Sequence, residues 1–231
     1  MILRVHIATR GRTRVRQFSS ILLMAGLLCV SAYIWMFTDR IVYQSVQQHY
    51  FPGAPPAVEA TRQHVFAPVL DFPARQPERT HHWTPWILRP DPSVLARLEI
   101  PRLSLSVMVR EGTDAGTLRR ALGHMPSTAL PGTAGNFVVT GHRDTFFRPL
   151  RGIARGDEIR AITRSHVYLY RVYALSVVSP DDVRVLKPTS RPECTLITCF
   201  PFDYIGPASR RLIVQAHLIE RASHDKGRQP E

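Results

Sequence analysis

Lysine, cysteine and clustered acids are all scarce in this chain of 231 residues. Arginine carries most of the formal charge of +12, yet the 17 basic and 11 acidic residues of segment 93–220 are scattered without a stripe. Since no nucleic-acid-binding motif accompanies the charge, nucleic acid is not an expected partner. No CxxC pair, His/Cys cluster or cluster of acids is present, so we expect no metal site and no cofactor.

The 3 cysteines do not form an evident disulfide. Cys29 lies in an apolar run, where a thiol usually serves as a small hydrophobe. Cys194 and Cys199 are 5 positions apart. On one strand their Cα atoms would lie roughly 16 Å apart, at about 3.3 Å per residue. A disulfide needs about 4.4–6.8 Å, so we expect both thiols to be free.

Charge is absent from the 20 residues Phe18–Phe37, which are enough for one membrane-spanning helix. Five arginines precede this run, and only Arg40 follows it within 20 residues. The positive-inside rule therefore predicts a cytoplasmic basic segment (1–17), a transmembrane helix (18–38) and an extracytoplasmic remainder. The alternative is a cleaved signal peptide that ends at Val30-Ser31-Ala32. The apolar run is long for a signal, so we favour the uncleaved anchor.

A proline-rich segment follows, with 9 prolines in the 41 positions of 52–92. Proline at this density is incompatible with long helices and central strands. We expect residues 39–92 to form an extracytoplasmic linker, in which 39–51 either continues the helix or frays and the remainder is a stiff spacer. A domain over 93–220 and a polar tail over 221–231 complete the predicted organisation.

Short β-favouring segments fill the region 93–220. Asp114 is expected to cap a short helix, residues 124–136 to form a loop, and 146–153 a helical or irregular turn. The predicted strands are Val94–Ile100, Leu103–Val109, Phe137–Thr140, Glu158–Thr163, His166–Val178, Thr195–Cys199 and Arg211–Leu218. Strands of this length separated by turns predict an all-β fold built on a closed barrel.

Three strand ends carry reactive side chains. The run Thr195–Cys199 ends at a thiol, because Pro201 cannot donate to a strand ladder. The segment Val138–Gly141 runs out into His142, and Arg211 opens the last strand. Together they supply a nucleophile, a base and a cation that could stabilise an oxyanion.

These motifs resemble the sortase family, and their surroundings are most similar to class D. Thr195–Cys199 matches the TLxTC signature, Gly141-His142 the segment of the catalytic histidine, and Arg211–Val214 the strand of the catalytic arginine. The resemblance covers residues 93–220 and implies an eight-stranded closed barrel with short helices. It also implies that Cys199, His142 and Arg211 are catalytic and that Thr198 contacts substrate.

Each role has a competitor in the sequence. Cys194 shares strand parity with Leu196 and Thr198, which is opposite to that of Cys199. Arg210 has the parity of the apolar residues Leu212, Val214, Ala216 and Leu218, whereas Arg211 has the other. His124 is the rival base to His142. Asp144 could orient the His142 ring, but a turn role or an ion pair with Arg143 is preferred.

The resemblance implies a cysteine transpeptidase in the bacterial cytoplasmic membrane, with its catalytic domain outside. Such an enzyme cleaves an LPXTG-like C-terminal sorting signal of a secreted protein and joins the product to an amine of a cell-wall precursor or protein. Two alternatives are a cysteine peptidase with water as acceptor and a non-catalytic β-module. Trp83 and Trp86 could form a lid over the site, as in some sortases, but docking on the flank of the domain is preferred.

Overall fold

The computed structural model describes residues 10–51, 90–204 and 206–223, with side chains from residue 17 onward. The chain forms two compact units, 1–42 and 43–231. Most of the proline-rich segment, including Trp83 and Trp86, lies outside the described residues, as does most of the expected tail.

The first unit consists of the greater part of helix α1, which spans Arg10–Tyr50. Its portion Gln17–Tyr50 is long and apolar enough to cross a membrane. The side chains of residues 17–38 are all exposed, including Leu22, Leu28 and Trp35. An exposed apolar surface of this length is compatible with a single-pass membrane anchor.

The second unit contains a closed barrel of eight strands, as the sequence predicted. The strands are β1 (Val94–Ile100), β2 (Leu105–Glu111), β3 (Leu122–His124), β4 (Gly135–Gly141), β5 (Glu158–Ile162), β6 (His166–Val178), β7 (Pro192–Phe200) and β8 (Arg210–Ser223). Their order around the barrel is β1-β2-β3-β4-β7-β8-β6-β5. A short helix, α2 (Ala115–Arg120), follows Asp114, whose carboxylate accepts from the backbone N–H groups of Gly116 and Thr117.

Alternation along the strands builds the barrel interior. Every second residue of β4, β7 and β8 enters one apolar cluster: Phe137 and Val139, Cys194 and Leu196, then Leu212, Val214 and Ala216. This confirms the apolar parity predicted for the final strand. The opposite residues of these three strands therefore point to the outer face.

Several boundaries differ from the sequence prediction, among them the following three. Leu122–His124 forms β3, although residues from His124 onward were expected to be loop, because all three residues pair with β2 and two of them, Gly123 and His124, also pair with β4. The β1–β2 connection is a 3₁₀ turn over Pro101–Leu103, so β2 begins at Leu105. Strand β8 continues to Ser223, where it pairs with His166 of β6. The last residues of β8 are polar, and their pairing with the distant strand β6 could not be predicted from the local sequence.

The end of α1, from Tyr43 onward, lies in the same compact unit as the barrel. The Gln44 amide accepts from the Met108 N–H of β2 at 3.0 Å and donates to the Arg120 carbonyl at 2.7 Å. Strand β3 pairs with β2 only at Val109–Glu111. The Met108 N–H precedes this paired stretch, and the Gln44 side chain accepts its hydrogen bond in place of a strand. Gln47 accepts from the Asp91 N–H at 3.0 Å. These bonds attach the end of α1 to the outside of the barrel.

Phe51 completes this contact. It is only 5% exposed and packs with Val94, Met108 and Ala121. The Arg164 guanidinium carbon lies 5.6 Å from the ring centroid. Because the helix end and Asp91 are held at one place, we propose that residues 43–51 belong to the folded domain rather than to a spacer.

Phe51→Ala should destabilise the second unit by about 3 kcal/mol, because truncating a buried Phe loses both transfer free energy and packing. For a domain of this size the melting temperature should fall by about 6–12 °C, measured calorimetrically on the detergent-solubilised chain. Tyr50→Ala is the control, because Tyr50 is the residue next to Phe51 and is 42% exposed. Equal shifts for the two variants would show that Phe51 is not part of the fold.

Candidate active site

Strand register pairs two of the predicted catalytic residues and predicts a row of three. Strands β4 and β7 are parallel, with Thr140 opposite Ile197 and Gly141 opposite Thr198. His142 follows Gly141 just beyond the end of β4, and one further step of this register would place it beside Cys199. Strands β7 and β8 are antiparallel, with Ile197 opposite Ile213. This register therefore predicts that His142 and Cys199 lie side by side on the outer face at this end of the barrel.

Arg211 occupies the third place in this row, directly opposite Cys199. Residues directly opposite across an antiparallel pair have Cβ atoms about 4.5–5.5 Å apart on the same face. Cys199 and Arg211 are half-buried and His142 is exposed. A substrate on the outer face could therefore reach all three side chains.

Buried contacts hold the two strand ends together. Thr198 is 2% exposed, and its hydroxyl donates to the Gly141 carbonyl at 2.8 Å. A Cβ on Gly141 would lie 2.6 Å from Leu122 and 2.8 Å from Phe147, so only glycine fits immediately before His142. The contact shown for Thr198 is thus with the protein, and a substrate-binding role for Thr198 remains a prediction.

Cys194 lies in the barrel interior. It is fully buried within the apolar cluster, and this burial raises the pKa of its thiol far above the ordinary value. Both Cys194 and Cys199 are free thiols, as their spacing on one strand predicted. A neutral interior thiol is a poor nucleophile, which leaves Cys199 as the thiol beside His142.

Arg211 contacts its own loop. Its Nη1 donates to the carbonyls of Ala208 at 3.2 Å and Arg210 at 3.0 Å. A guanidinium has five N–H donors, so these two bonds leave capacity for a further acceptor. Arg210 is exposed and lies opposite Phe200, not Cys199.

His124, the rival base, has its own network. It is 2% exposed on β3, with Nδ1 2.6 Å from the Glu111 carboxylate and Nε2 3.1 Å from the Ala129 carbonyl. Strand β4 separates β3 from β7 in the barrel order. His124 therefore serves the local structure of β3 rather than the row at Cys199.

Two sets of contacts around the site had no clear signal in the sequence. The buried Asn136 donates to the Val185 carbonyl at 3.0 Å and accepts from the Thr195 hydroxyl at 2.7 Å, which ties the β6–β7 loop to the outer face. Arg143, which formed one of the two alternatives considered for Asp144, donates to the carbonyls of Pro201 and Gly206. The sequence offered one signal for the contacts of Asn136, which is a polar residue next to an apolar strand.

The chain resembles known sortases in sequence. Sortase D of Bacillus subtilis is 34% identical over 123 residues, which cover 53% of this chain and 62% of that protein. Sortase SrtE1 of Streptomyces coelicolor is 32% identical over 152 residues, or 58% of this chain and 42% of that protein. The chain thus spans about half the length of the curated relatives it matches.

Solved structures agree. A sortase D5 transpeptidase of Clostridium perfringens matches with a TM-score of 0.51 and 30% identity, over 55% of this chain and 79% of that one. Sortase A of Corynebacterium diphtheriae gives 0.53 and 34%, over 58% and 64%. The sortase domain model matches residues 98–219, more than half of the chain. The chain therefore belongs to the sortase family, and its eight-stranded barrel is the sortase fold.

Proposed function

We propose that this protein is a membrane-anchored cysteine transpeptidase. It cleaves an LPXTG-like C-terminal sorting signal of secreted proteins and joins the acyl product to an amine of a cell-wall precursor or protein. The observation that supports the proposal is the register of β4, β7 and β8, which sets Cys199 opposite Arg211 and sets Gly141, the residue before His142, opposite Thr198. No cofactor is needed for this chemistry.

Each residue of the row has a step. Cys199 attacks the Thr carbonyl carbon of the signal as the thiolate, with His142 as the proton partner. The Arg211 guanidinium donates to the oxyanion of the tetrahedral intermediate. The C–N bond then breaks, His142 protonates the leaving amine, and a thioester remains on Cys199. An incoming amine loses its proton to His142, forms the new amide bond and releases the thiolate.

The acceptor decides between transpeptidation and hydrolysis. Purified protein should be incubated with an LPXTG-containing peptide, with and without triglycine, and the products measured by mass spectrometry. A product that gains the mass of triglycine supports transpeptidation. A product with free carboxylate in both reactions would identify a peptidase that uses water. Absence of cleavage on any signal peptide would leave only a binding module.

We further propose that α1 anchors the protein in the bacterial cytoplasmic membrane, with its N-terminus inside and the catalytic domain outside. The five arginines before the apolar run support this orientation. Protein from the membrane fraction should have the full-length intact mass. A mature N-terminus at Tyr33 would instead show that Val30-Ser31-Ala32 is a cleavage site.

A further inference from the structure

Arg143 links the two loops that flank the candidate active site. It follows His142 directly in the chain, two residues beyond the end of β4. Its guanidinium reaches the loop between β7 and β8, which follows Cys199. Nη1 donates to the Pro201 carbonyl at 2.7 Å, and Nη2 donates to the Gly206 carbonyl at 2.8 Å. One planar side chain therefore holds both ends of a turn in this loop.

The acceptor loop is shaped for this contact. Gly206 has φ of +133°, a conformation that favours glycine, and a Cβ there would lie 3.1 Å from the Tyr204 ring. The Arg143 guanidinium carbon lies 6.0 Å from the centroid of the same ring. A second arginine, Arg151, forms an ion pair with Asp203 of this loop, but both side chains are largely exposed. Exposed pairs contribute little, whereas the Arg143 bond to the Pro201 carbonyl is part-buried.

We propose that Arg143 is a positioning residue that fixes the His142 segment against the loop after Cys199, and so sets the alignment of base and nucleophile. The proposal rests on the proposed function of Cys199 and His142. Because His142 lies past the end of its strand, no ladder hydrogen bond of β4 holds it in register. The His142 carbonyl accepts from the Phe147 N–H at 3.1 Å within the following turn, and Arg143 adds the link to the loop after Cys199 through two charge-assisted bonds to backbone carbonyls. An error of about 1 Å in such an alignment can cost about 100-fold in rate.

Arg143→Gln should lower the rate of thioester formation on a signal peptide by about 10–100-fold, the range that one or two charge-assisted hydrogen bonds span. KM should change less than about threefold, because no substrate contact is removed. Arg143→Lys should recover only part of the rate, since a lysine ammonium cannot occupy both carbonyls as a planar fork does. Arg151→Gln is the matched control, because it releases the same loop from an exposed partner, and its rate should be unchanged.

Two readouts do not require the proposed reaction. Hydrogen exchange followed by peptide mass spectrometry should show faster exchange in residues 201–209 for Arg143→Gln but not for Arg151→Gln. The rate of iodoacetamide alkylation at Cys199 should change in Arg143→Gln and should not change in Arg151→Gln. Gly206→Ala attacks the same contact from the loop side and should reproduce both effects.

Equal loop exchange and equal Cys199 alkylation in Arg143→Gln and Arg151→Gln would overturn the proposal, whatever the enzyme does to peptides. The proposal would also be overturned if the rate loss in Arg143→Gln were fully explained by a smaller fraction of folded protein and hydrogen exchange in the loop were not faster. Failure of the wild-type protein to form any acyl-enzyme would instead overturn the proposed function, since the exchange experiment would still report on the loop.

Discussion

Cys199→Ala is expected to abolish thioester formation completely, whereas Cys194→Ala should keep substantial activity. The reason is position on β7. Cys199 lies at the outer face opposite Arg211, while Cys194 is buried in the barrel interior. Alanine at 199 removes the only atom that could carry the acyl group. Alanine at 194 removes a small apolar group from the core and should cost stability rather than chemistry.

The measurement is intact mass after incubation with a signal peptide and rapid acid quench, which preserves a thioester. Wild-type protein and Cys194→Ala should gain the mass of the acyl group, and Cys199→Ala should not. Circular dichroism of each variant controls for folding. Comparable loss of the adduct in both variants, with both folded, would contradict the assignment of the nucleophile.

The period-2 alternation of β7 and β8 made this distinction predictable. Parity in the sequence separated Cys199 from Cys194 and Arg211 from Arg210, and the interior cluster confirms the faces of Cys194, Leu212, Val214 and Ala216. The closed barrel could also be predicted, because short strands separated by turns recur along the chain. In addition, the TLxTC signature belongs to a family whose fold is an eight-stranded closed barrel. These features are local, or they depend on a motif of a few residues.

The contacts that could not be predicted join residues distant in sequence. Gln44 bonds to Met108, and Arg143 to Pro201 and Gly206, across separations of 58 to 64 positions. A polar residue in a helix end or after a strand looks the same whether it faces solvent or a backbone carbonyl. Only the closed topology determines which carbonyls come within reach. The three residues of β3 escaped prediction for the same reason, because their pairing with two strands defines them.

Arg211 rather than Arg210 should be needed for catalysis. Arg211 stands opposite Cys199, and Arg210 stands opposite Phe200 with an exposed side chain. Losing one donor to an oxyanion typically costs about 10²–10³ in rate, so Arg211→Ala should show a loss of that order. Arg211→Lys should recover little, because an ammonium is a point charge where guanidinium is a planar fork. Arg210→Ala should change turnover only slightly.

The experiment compares transpeptidation rates of the three variants on one signal peptide, after each is shown to be folded. Arg211 now donates to the Ala208 and Arg210 carbonyls, so its loss could also disturb the β7–β8 loop. Arg211→Lys and a hydrogen-exchange comparison of residues 201–209 separate the two effects. A catalytic role predicts a rate loss without faster exchange. If Arg210→Ala were the crippled variant, β8 would be out of register with the structure, and the outer-face positions of Ile213 and Gln215 would be wrong as well.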